Sequence, residues 1–319
     1  MAASGFEHLM DSPQTAIGKG TVGEPPPAPL GKEGVIIKLS LFFDGTKNNR
    51  TNTEKRLSQP GILSLKGGES SYANFYSNVP ILEYMNLRNK PANHEVSLYV
   101  EGIGTVDFSE ELKAEGIADK DNGNDETKGY AFGAGPTGVP AKVTIGLNRA
   151  KEQILGAYKE RDEYIQKIII DVFGFSRGAT AARHFVHRHL TLREPWPDQG
   201  PVELEVNFVG LFESVSSFEE GPKLLTIAQA LTEGAFDDDV KQLGLNLGAT
   251  PNKVVHLTAA DEMRENFSLT TIDSSLDVGK GIQLSMPGVH SDVGGGYAES
   301  AQEEIRRIRN TAEKEQLIA

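Results

Sequence analysis

The residues most suited to chemistry in this sequence surround Ser176, which lies in the pentapeptide Gly174–Gly178 (GFSRG). Residues 167–173 form an apolar run typical of a buried strand, and residues 177–190 have the periodicity of a helix. A serine on a sharp strand-to-helix turn, with glycine two residues to either side, has the setting of a nucleophile that attacks an ester carbonyl. The pentapeptide alone is a weak signal, because a tight structural turn with glycines has the same pattern.

A serine nucleophile needs a base, and hydrolases of this type place it last in the order nucleophile, acid, histidine. Of seven histidines, only His256 and His290 lie well downstream of Ser176. His290 lies in the glycine-rich segment 287–297 after a predicted strand, where a catalytic imidazole is expected. His256 lies within a predicted strand, which favours a role in the core.

The acid that orients the histidine is expected at the end of an intermediate strand. Glu213 directly follows the apolar run 206–212 and is the predicted acid. Asp261 and Asp292 are the alternatives. Asp261 is expected to cap or pair locally with Arg264, and Asp292 is expected to stabilise the loop of the histidine.

Three residues are predicted to form the oxyanion hole, which needs backbone N–H groups aimed at the developing negative charge. Gly45 and Thr46 follow the first apolar run, and Arg177 follows the nucleophile at the start of the predicted helix. The alternative for the Asp44-Gly45 pair is a turn that only ends the strand.

No metal or other cofactor is expected. The chain has no cysteine, which excludes disulfides and zinc–thiolate sites. His184, His187 and His189 lack the i, i+4 spacing of helical ligands and are interpreted as packing or surface residues. The acidic segment 119–126 has its glycine one position too early for a helix-loop-helix calcium site.

The composition is that of a globular enzyme, with 319 residues of which 38% are hydrophobic and 24% charged. The formal net charge of −13 disfavours binding to nucleic acid and to anionic membrane surfaces. The N-terminus has neither the basic nor the apolar region of a secretory signal, and no apolar run is long enough to span a bilayer.

Apolar runs alternate with helical patterns along the chain, which predicts an α/β fold with a mainly parallel central sheet and helices on both faces. Residues 1–33 are predicted to be a flexible Pro/Gly-rich arm, residues 34–300 the catalytic domain, and residues 301–319 a mixed-charge helix. Residues 106–129 interrupt the alternation and are predicted to be a solvated loop. The predicted strands lie near residues 35–43, 96–100, 168–173, 206–212, 254–257 and 282–284, and Val143, Leu147, Ala150, Ile154 and Ala157 mark one helix.

Five segments together resemble the conserved blocks of the first family of type VI secretion lipase effectors. They are residues 42–49 (FFDGTKNN), 174–179 (GFSRGA), 210–215 (GLFESV), 260–267 (ADEMRENF) and 287–297 (PGVHSDVGGGY). The resemblance implies an α/β-hydrolase fold and an antibacterial phospholipase A, of type A1 or A2. Carried over by position, it implies Ser176 as nucleophile, His290 as base and Glu213 as acid.

The same resemblance implies a setting for the reaction. The protein is expected to be cytoplasmic in the producing cell and to be injected by a contractile machine into the periplasm of a rival, where it cleaves membrane phospholipids. A spike protein is expected to carry it and a cognate immunity protein to inhibit it.

Two features depart from the family pattern. The family usually has Asp where Glu213 stands, and family members often carry further modules for membrane contact, whereas little follows residue 297. Two alternative functions are a non-catalytic interaction module on a hydrolase fold and a phosphatase of the haloacid dehalogenase type. The phosphatase is suggested by residues 43–46 but lacks the required nucleophilic Asp, because position 42 is Phe.

Overall fold

Six strands form one sheet in the computed structural model, which describes residues 31–59, 61–66, 70–86, 93–106, 125, 137–158, 162–193, 196, 200, 202–216, 243–264 and 267–296. The strands are β1 (Glu33–Phe43), β2 (Glu95–Val100), β3 (Glu163–Phe175), β4 (Glu203–Phe212), β5 (Lys253–Ala259) and β6 (Gly281–Met286). All neighbouring strands pair in parallel, in the order β2-β1-β3-β4-β5-β6. The prediction of a parallel α/β sheet is confirmed, and each predicted strand is present.

Seven α-helices connect or flank the strands in the described ranges. They are α1 (Arg50–Ser58), α2 (Ile62–Lys66), α3 (Asn78–Met85), α4 (Val139–Tyr158), α5 (Arg177–Arg188), α6 (Asp273–Leu276) and α7 (His290–Gly294). Val143, Leu147, Ala150 and Ile154 of the predicted apolar face lie in α4 and are buried. The helix after Ser176 ends two residues earlier than predicted and continues as a 3₁₀ helix, His189–Arg193.

The order of the strands reverses between β1 and β3. From β1 the chain moves outward to β2, and from β3 it continues in the other direction through β4 and β5 to β6. In open α/β sheets, ligands bind at the carboxyl ends of the strands where such a reversal opens a crevice. Ser176 directly follows β3, and Gly45 follows β1, so both lie at this crevice.

Helices cover both faces of the sheet, because successive side chains of a strand point to opposite faces. On one face, a large core cluster contains Phe43 of β1 together with apolar residues of α4 and α5. On the other face, Phe42 packs with Val79 of α3 and with Phe175. The two layers fix the end of β3 from both sides.

Arg183 of α5 anchors this helix to the C-terminal half of the chain. Its side chain is fully buried and donates hydrogen bonds to the carbonyl oxygens of Leu245, Thr270 and Thr271, each at 2.8 Å. A weaker bond of 3.3 Å reaches Ser214 Oγ. Burying a guanidinium requires such acceptors, so α5 and the loops after β4 and β5 depend on one another.

Residues 1–30 of the predicted arm, the predicted C-terminal helix and most of the predicted loop 106–129 lie outside the described residues, whereas Glu33, the last residue of the predicted arm, begins β1. In the ranges that are described, no helix combines the length and apolarity needed to cross a membrane. Within the same ranges, no group of three or more His, Asp or Glu side chains is arranged to hold a metal ion.

Candidate active site

Ser176 adopts a strained backbone conformation at the turn between β3 and α5. Its φ is 57° and its ψ is −129°, a region that residues with a side chain rarely occupy. The turn is held by backbone bonds, since Ser176 N–H donates to the carbonyl of Phe212 at 3.0 Å and its own carbonyl accepts from Ala179 N–H at 3.0 Å. The strain therefore results from the packing of the turn between β4 and α5.

The two glycines of the pentapeptide are required by close backbone approach. A Cβ atom at Gly174 would lie 2.4 Å from the carbonyl oxygen of Gly178, and one at Gly178 would lie 2.2 Å from the carbonyl oxygen of Asp44. Both distances are far below van der Waals contact. This is the space requirement expected of a nucleophile turn, and it also brings the end of β1 against the start of α5.

His290 begins α7 and lies against the residue that precedes Ser176. Its ring centroid is 4.7 Å from that of Phe175 in a tilted arrangement and 4.7 Å from that of Phe267 in an edge contact. A Cβ atom at Gly294 would overlap the ring of Phe175, so α7 packs directly on this side chain. The structure thus brings the predicted base to the same edge of the sheet as the predicted nucleophile.

The environment of His290 keeps its imidazole neutral. Burial and, to a smaller extent, the charge of Arg264 lower the pKa of His290 to about 4, against the opposing charge of Glu262. A neutral imidazole at physiological pH is the form that accepts a proton. Nδ1 of His290 is buried and has no hydrogen-bond partner in the described part of the chain.

Glu213 lies at the end of β4 with a positive φ of 40°. Its backbone N–H donates to Leu257 at 2.8 Å, and its Oε2 accepts from Ala259 N–H at 2.5 Å. Burial raises the pKa of Glu213, the hydrogen bond from Ala259 lowers it, and the charge of Glu262 raises it. The carboxylate therefore lies at the same edge of the sheet as Ser176, but it makes no hydrogen bond to His290 Nδ1.

The alternative acids hold the segment that carries His290. Three successive backbone N–H groups, at positions 288–290, each donate to a different carboxylate. The pairs are Gly288 with Asp261 Oδ2 at 2.8 Å, Val289 with Asp292 Oδ2 at 2.8 Å and His290 with Glu262 Oε2 at 3.2 Å. Asp292 stabilises the loop as expected from the sequence. The expected pairing of Asp261 with Arg264 is instead made by the next residue, Glu262.

The predicted oxyanion residues meet at the crevice. Arg177 Nε donates to Thr46 Oγ1 at 2.9 Å, which ties the loop after β1 to the nucleophile turn. The N–H of Gly45 already donates to Asp44 Oδ1 at 2.8 Å. The N–H of Gly45 is therefore already engaged, and the missing Cβ atom of Gly45, which would lie 2.5 Å from the ring of Phe175, lets this ring pack close to the loop after β1.

Asp44 is a buried hydrogen-bond centre that the sequence did not reveal. Its carboxylate accepts from Ser77 Oγ at 2.5 Å and from Tyr99 Oη at 2.6 Å, in addition to the N–H of Gly45. Burial raises the pKa of Asp44 to about 6 against the lowering effect of these bonds. Since the side chain is buried and its oxygens are engaged, it stabilises the crevice and is not placed to attack a phosphate.

Three further histidines have contacts away from Ser176. His256 is fully buried, accepts a hydrogen bond at Nε2 from Ser214 N–H at 3.0 Å and contacts Gln283 through Nδ1 at 3.2 Å. Burial lowers the pKa of His256 to about 4. His184 and His187 stack with their ring centroids 6.2 Å apart, and His184 Nδ1 bonds the carbonyl of Leu243 at 2.7 Å.

The parallel sheet with this strand order, the strained serine after its central strand and the histidine after its last strand define a fold of the α/β-hydrolase type. Residues 197–314 match the family model described as the catalytic domain of the type VI secretion system Tle1-like phospholipase effectors. This match confirms the family resemblance over the blocks 210–215, 260–267 and 287–297, and it includes the positions of Glu213 and His290.

Three solved structures are similar to the chain. A Tle1 effector bound to the VgrG spike of a type VI secretion system is 28% identical, with 84% of this chain and 52% of that chain covered and a TM-score of 0.47. An uncharacterized protein from Pseudomonas aeruginosa is 19% identical, with coverage of 82% and 42% and a TM-score of 0.44. Acyl-protein thioesterase 2 from Zea mays is 12% identical, with coverage of 82% and 88% and a TM-score of 0.29.

The chain spans about half the length of the first two of these proteins. A search of curated proteins found no match.

Proposed function

We propose that the chain is a serine-dependent carboxylic ester hydrolase of the phospholipase A type. The observation that carries this proposal is the strained backbone of Ser176 at the end of β3. A neutral, buried His290 packs against Phe175, the residue before Ser176. Backbone strain of this kind persists where the surrounding structure enforces it, and it is concentrated at functional sites. The family match over residues 197–314 supports a phospholipid as the substrate.

In the proposed reaction, Ser176 Oγ attacks the ester carbonyl carbon while the imidazole of His290 takes the hydroxyl proton. The carbonyl oxygen becomes an oxyanion held by the N–H groups of Thr46 and Arg177. His290 then donates the proton to the alcohol that leaves as the lysophospholipid. A water molecule, deprotonated by the same imidazole, releases the fatty acid and restores Ser176.

Glu213 is the proposed acid of this triad. It follows β4, the strand next to β3, and it matches the position of the family's acid. His290 Nδ1 is buried without a partner, so a carboxylate brought to this atom would satisfy it and stabilise the imidazolium that forms during attack.

The experiment combines labelling of the serine with a lipid-product assay. Purified wild-type chain is expected to react with a fluorophosphonate and to release fatty acid from phospholipid vesicles, and Ser176→Ala is expected to lose both, by about 10⁴-fold or more in hydrolysis. Ser275→Ala is a matched control, because Ser275 is equally buried but lies on α6, away from the crevice. Hydrolysis by Ser176→Ala at the wild-type rate would overturn the proposal.

A second candidate is a non-catalytic module that keeps the fold to bind a partner. The unpartnered Nδ1 of His290 favours it, because no carboxylate in the described ranges orients the imidazole through this atom. The fluorophosphonate distinguishes the two, since an inert serine does not react while an activated one does.

We further propose a type VI effector role, with a spike protein as carrier, a cognate immunity protein as inhibitor and the periplasmic membrane of a rival cell as the site of action. The family match supports this setting. Co-purification of the full-length protein with the spike and immunity proteins encoded beside it tests the partners. Survival of target cells that receive the Ser176→Ala form, and lysis by the wild type, would link the setting to the hydrolysis.

A further inference from the structure

A second set of contacts around His290 involves neither the nucleophile nor the proposed acid. Glu262 accepts the backbone N–H of His290 at Oε2, and the same carboxylate accepts two side-chain bonds from Arg264, at 2.8 Å from Nε and 2.6 Å from Nη2. The guanidinium of Arg264 in turn lies 3.8 Å from the centroid of Phe267. Phe267 presents its ring to His290 in the edge contact described above.

These contacts link four residues in a closed ring. The backbone N–H of His290 binds Glu262, Glu262 binds Arg264, Arg264 lies over Phe267, and Phe267 contacts the imidazole of His290. The carboxylate of Glu262 is 5% exposed, while the side chain of Arg264 is 45% exposed. Residues of the loop after β5 therefore hold His290 in two places, at its backbone N–H and at its imidazole ring.

We propose that the Glu262–Arg264 pair is a positioning unit for His290, which fixes the plane of the imidazole and balances the charge that it acquires during catalysis. The role in catalysis rests on the proposed hydrolase function. Neither residue touches the reacting atoms, so both act through His290.

The two members of the pair have opposite effects on the histidine. The charge of Glu262 raises the pKa of His290 and the charge of Arg264 lowers it. The bonds from Arg264 hold the pKa of Glu262 down to about 2, so this carboxylate stays ionised throughout the working range of the site. A permanently charged carboxylate beside the backbone of His290 stabilises the imidazolium that forms when Ser176 loses its proton.

Other charged groups on the elements around His290 bear on the same balance. Glu213 approaches from the end of β4, Asp261 from the loop after β5, and Asp292 from α7 itself. The aromatic faces of Phe175 and Phe267 carry no charge. Glu262 and Arg264 are the groups whose charges act directly on the imidazole, which makes them the pair to change.

The test compares Glu262→Gln, Arg264→Gln and the control Glu203→Gln. Glu203 also pairs with a cation, Lys167 at 3.0 Å, but it lies at the opposite end of the sheet. Glu262→Gln keeps a hydrogen-bond acceptor for His290 N–H and removes the charge. The titration of the His290 ring is followed by NMR in each variant, and the pH dependence of kcat/KM is measured with a soluble short-chain ester.

The two variants are expected to move the His290 titration and the acidic limb of kcat/KM in opposite directions. Glu262→Gln shifts both to lower pH and Arg264→Gln shifts both to higher pH, by about one unit each, while Glu203→Gln leaves them unchanged. At pH 7, kcat of Glu262→Gln falls about tenfold with little change in KM, since one pKa unit of imidazolium stabilisation corresponds to a factor of ten.

Shifts in the same direction, or no shift in either variant, would overturn the inference, because a merely structural role gives no opposed pair of titrations. If Glu262→Gln does not fold, the upward shift in Arg264→Gln alone decides, and its absence counts against the pair. The NMR titration needs no turnover. If the two variants show opposed shifts but the wild-type chain shows no Ser176-dependent hydrolysis, the proposed function is overturned and the positioning of His290 is supported.

Discussion

Ser176 and His290 reach the same crevice from strands with very different surroundings. β3 lies inside the sheet between β1 and β4, whereas β6 is an edge strand with Ile282, Leu284 and Met286 at least 40% exposed. The serine turn is fixed by backbone hydrogen bonds and by glycines that admit no side chain. The histidine segment is fixed by three carboxylates that hold successive N–H groups.

The difference shows two ways to fix the side chains of a proposed catalytic site. In the interior of the sheet, close packing alone enforces an unfavourable backbone conformation at Ser176. At the edge, where packing is one-sided, hydrogen bonds from backbone N–H groups to side-chain carboxylates take the place of close packing. The stability of the serine turn is therefore expected to depend on side-chain volume, and that of the histidine segment on charge and pH.

The largest effect is expected from adding a methyl group at the serine side. Gly178→Ala places a Cβ atom 2.2 Å from a backbone oxygen that cannot move without displacing β1, so the free energy of unfolding should fall by about 3 kcal/mol or more. Gly156→Ala is the matched control, because it has open space in the helix α4 and should gain up to about 1 kcal/mol. Urea unfolding measures both, and a Gly178→Ala chain of wild-type stability would refute the packing argument.

The next effect is the pH dependence of stability, which should have opposite signs in the two regions. His256, beside the edge strand, has a pKa of about 4 in the folded chain against 6.5 in the unfolded chain. Its contribution to the free energy of unfolding is therefore complete above pH 6.5 and is lost as the pH falls to 4. Asp44, beside the serine turn, has a pKa of about 6 in the folded chain against 3.8 in the unfolded chain. Its contribution to the free energy of unfolding is therefore complete below pH 3.8 and is lost as the pH rises through 6.

His256 and His290 together should outweigh Asp44, so the wild-type chain is expected to lose about 1 to 3 kcal/mol between pH 7 and pH 4.5. His256→Gln, which keeps an acceptor for Ser214 N–H, should reduce this loss, and Asp44→Asn should increase it. Denaturant unfolding at pH 7 and pH 4.5 measures the loss of free energy of unfolding in each chain. Changes of equal sign in both variants would contradict the assignment.

A smaller effect is expected from releasing the strain at the nucleophile. Ser176→Gly should unfold with a free energy about 1 kcal/mol higher than that of Ser176→Ala, because glycine occupies a positive φ without steric cost. Both variants lack the hydroxyl and should be inactive. Equal stability of the two would show that the backbone at residue 176 carries no strain.

The smallest effect is expected at the exposed face of the edge strand. Leu284→Thr should change the free energy of unfolding by less than about 0.5 kcal/mol, because Leu284 is half exposed and threonine retains a preference for strands. Thermal unfolding measures the change. A loss of several kcal/mol would show that packing also fixes the edge and would remove the contrast between the two sides.

The sequence predicted the parts of the fold that follow from local patterns. Apolar runs of strand length predicted all six strands, and the spacing of Val143 and Ile154 predicted α4, since buried strands and amphipathic helices have distinct periods. The need for glycine at 174 and 178 also followed from the turn alone. The family match confirmed the resemblance, and it covers three of the five sequence blocks.

Contacts between distant segments were not predictable in the same way. The carboxylate of Asp44 meets Ser77 and Tyr99 only after β1 and β2 pair, and nothing in a strand-ending Asp-Gly indicates this. The choice between Asp261 and Glu262 as partner of Arg264 depends on which way each side chain leaves the loop. The role of Glu213 as triad acid stays a prediction.

Arg183 connects the helix after Ser176 to the second half of the chain. Every acceptor described for its guanidinium belongs to a residue after Glu213, whereas Arg183 itself stands on the helix that begins at the nucleophile. A fragment ending at residue 213 would contain the whole serine turn but none of these acceptors, so α5 would lose the hydrogen bonds that anchor it. The helix that begins behind Ser176 is thus held in place by residues that follow Glu213 in the chain.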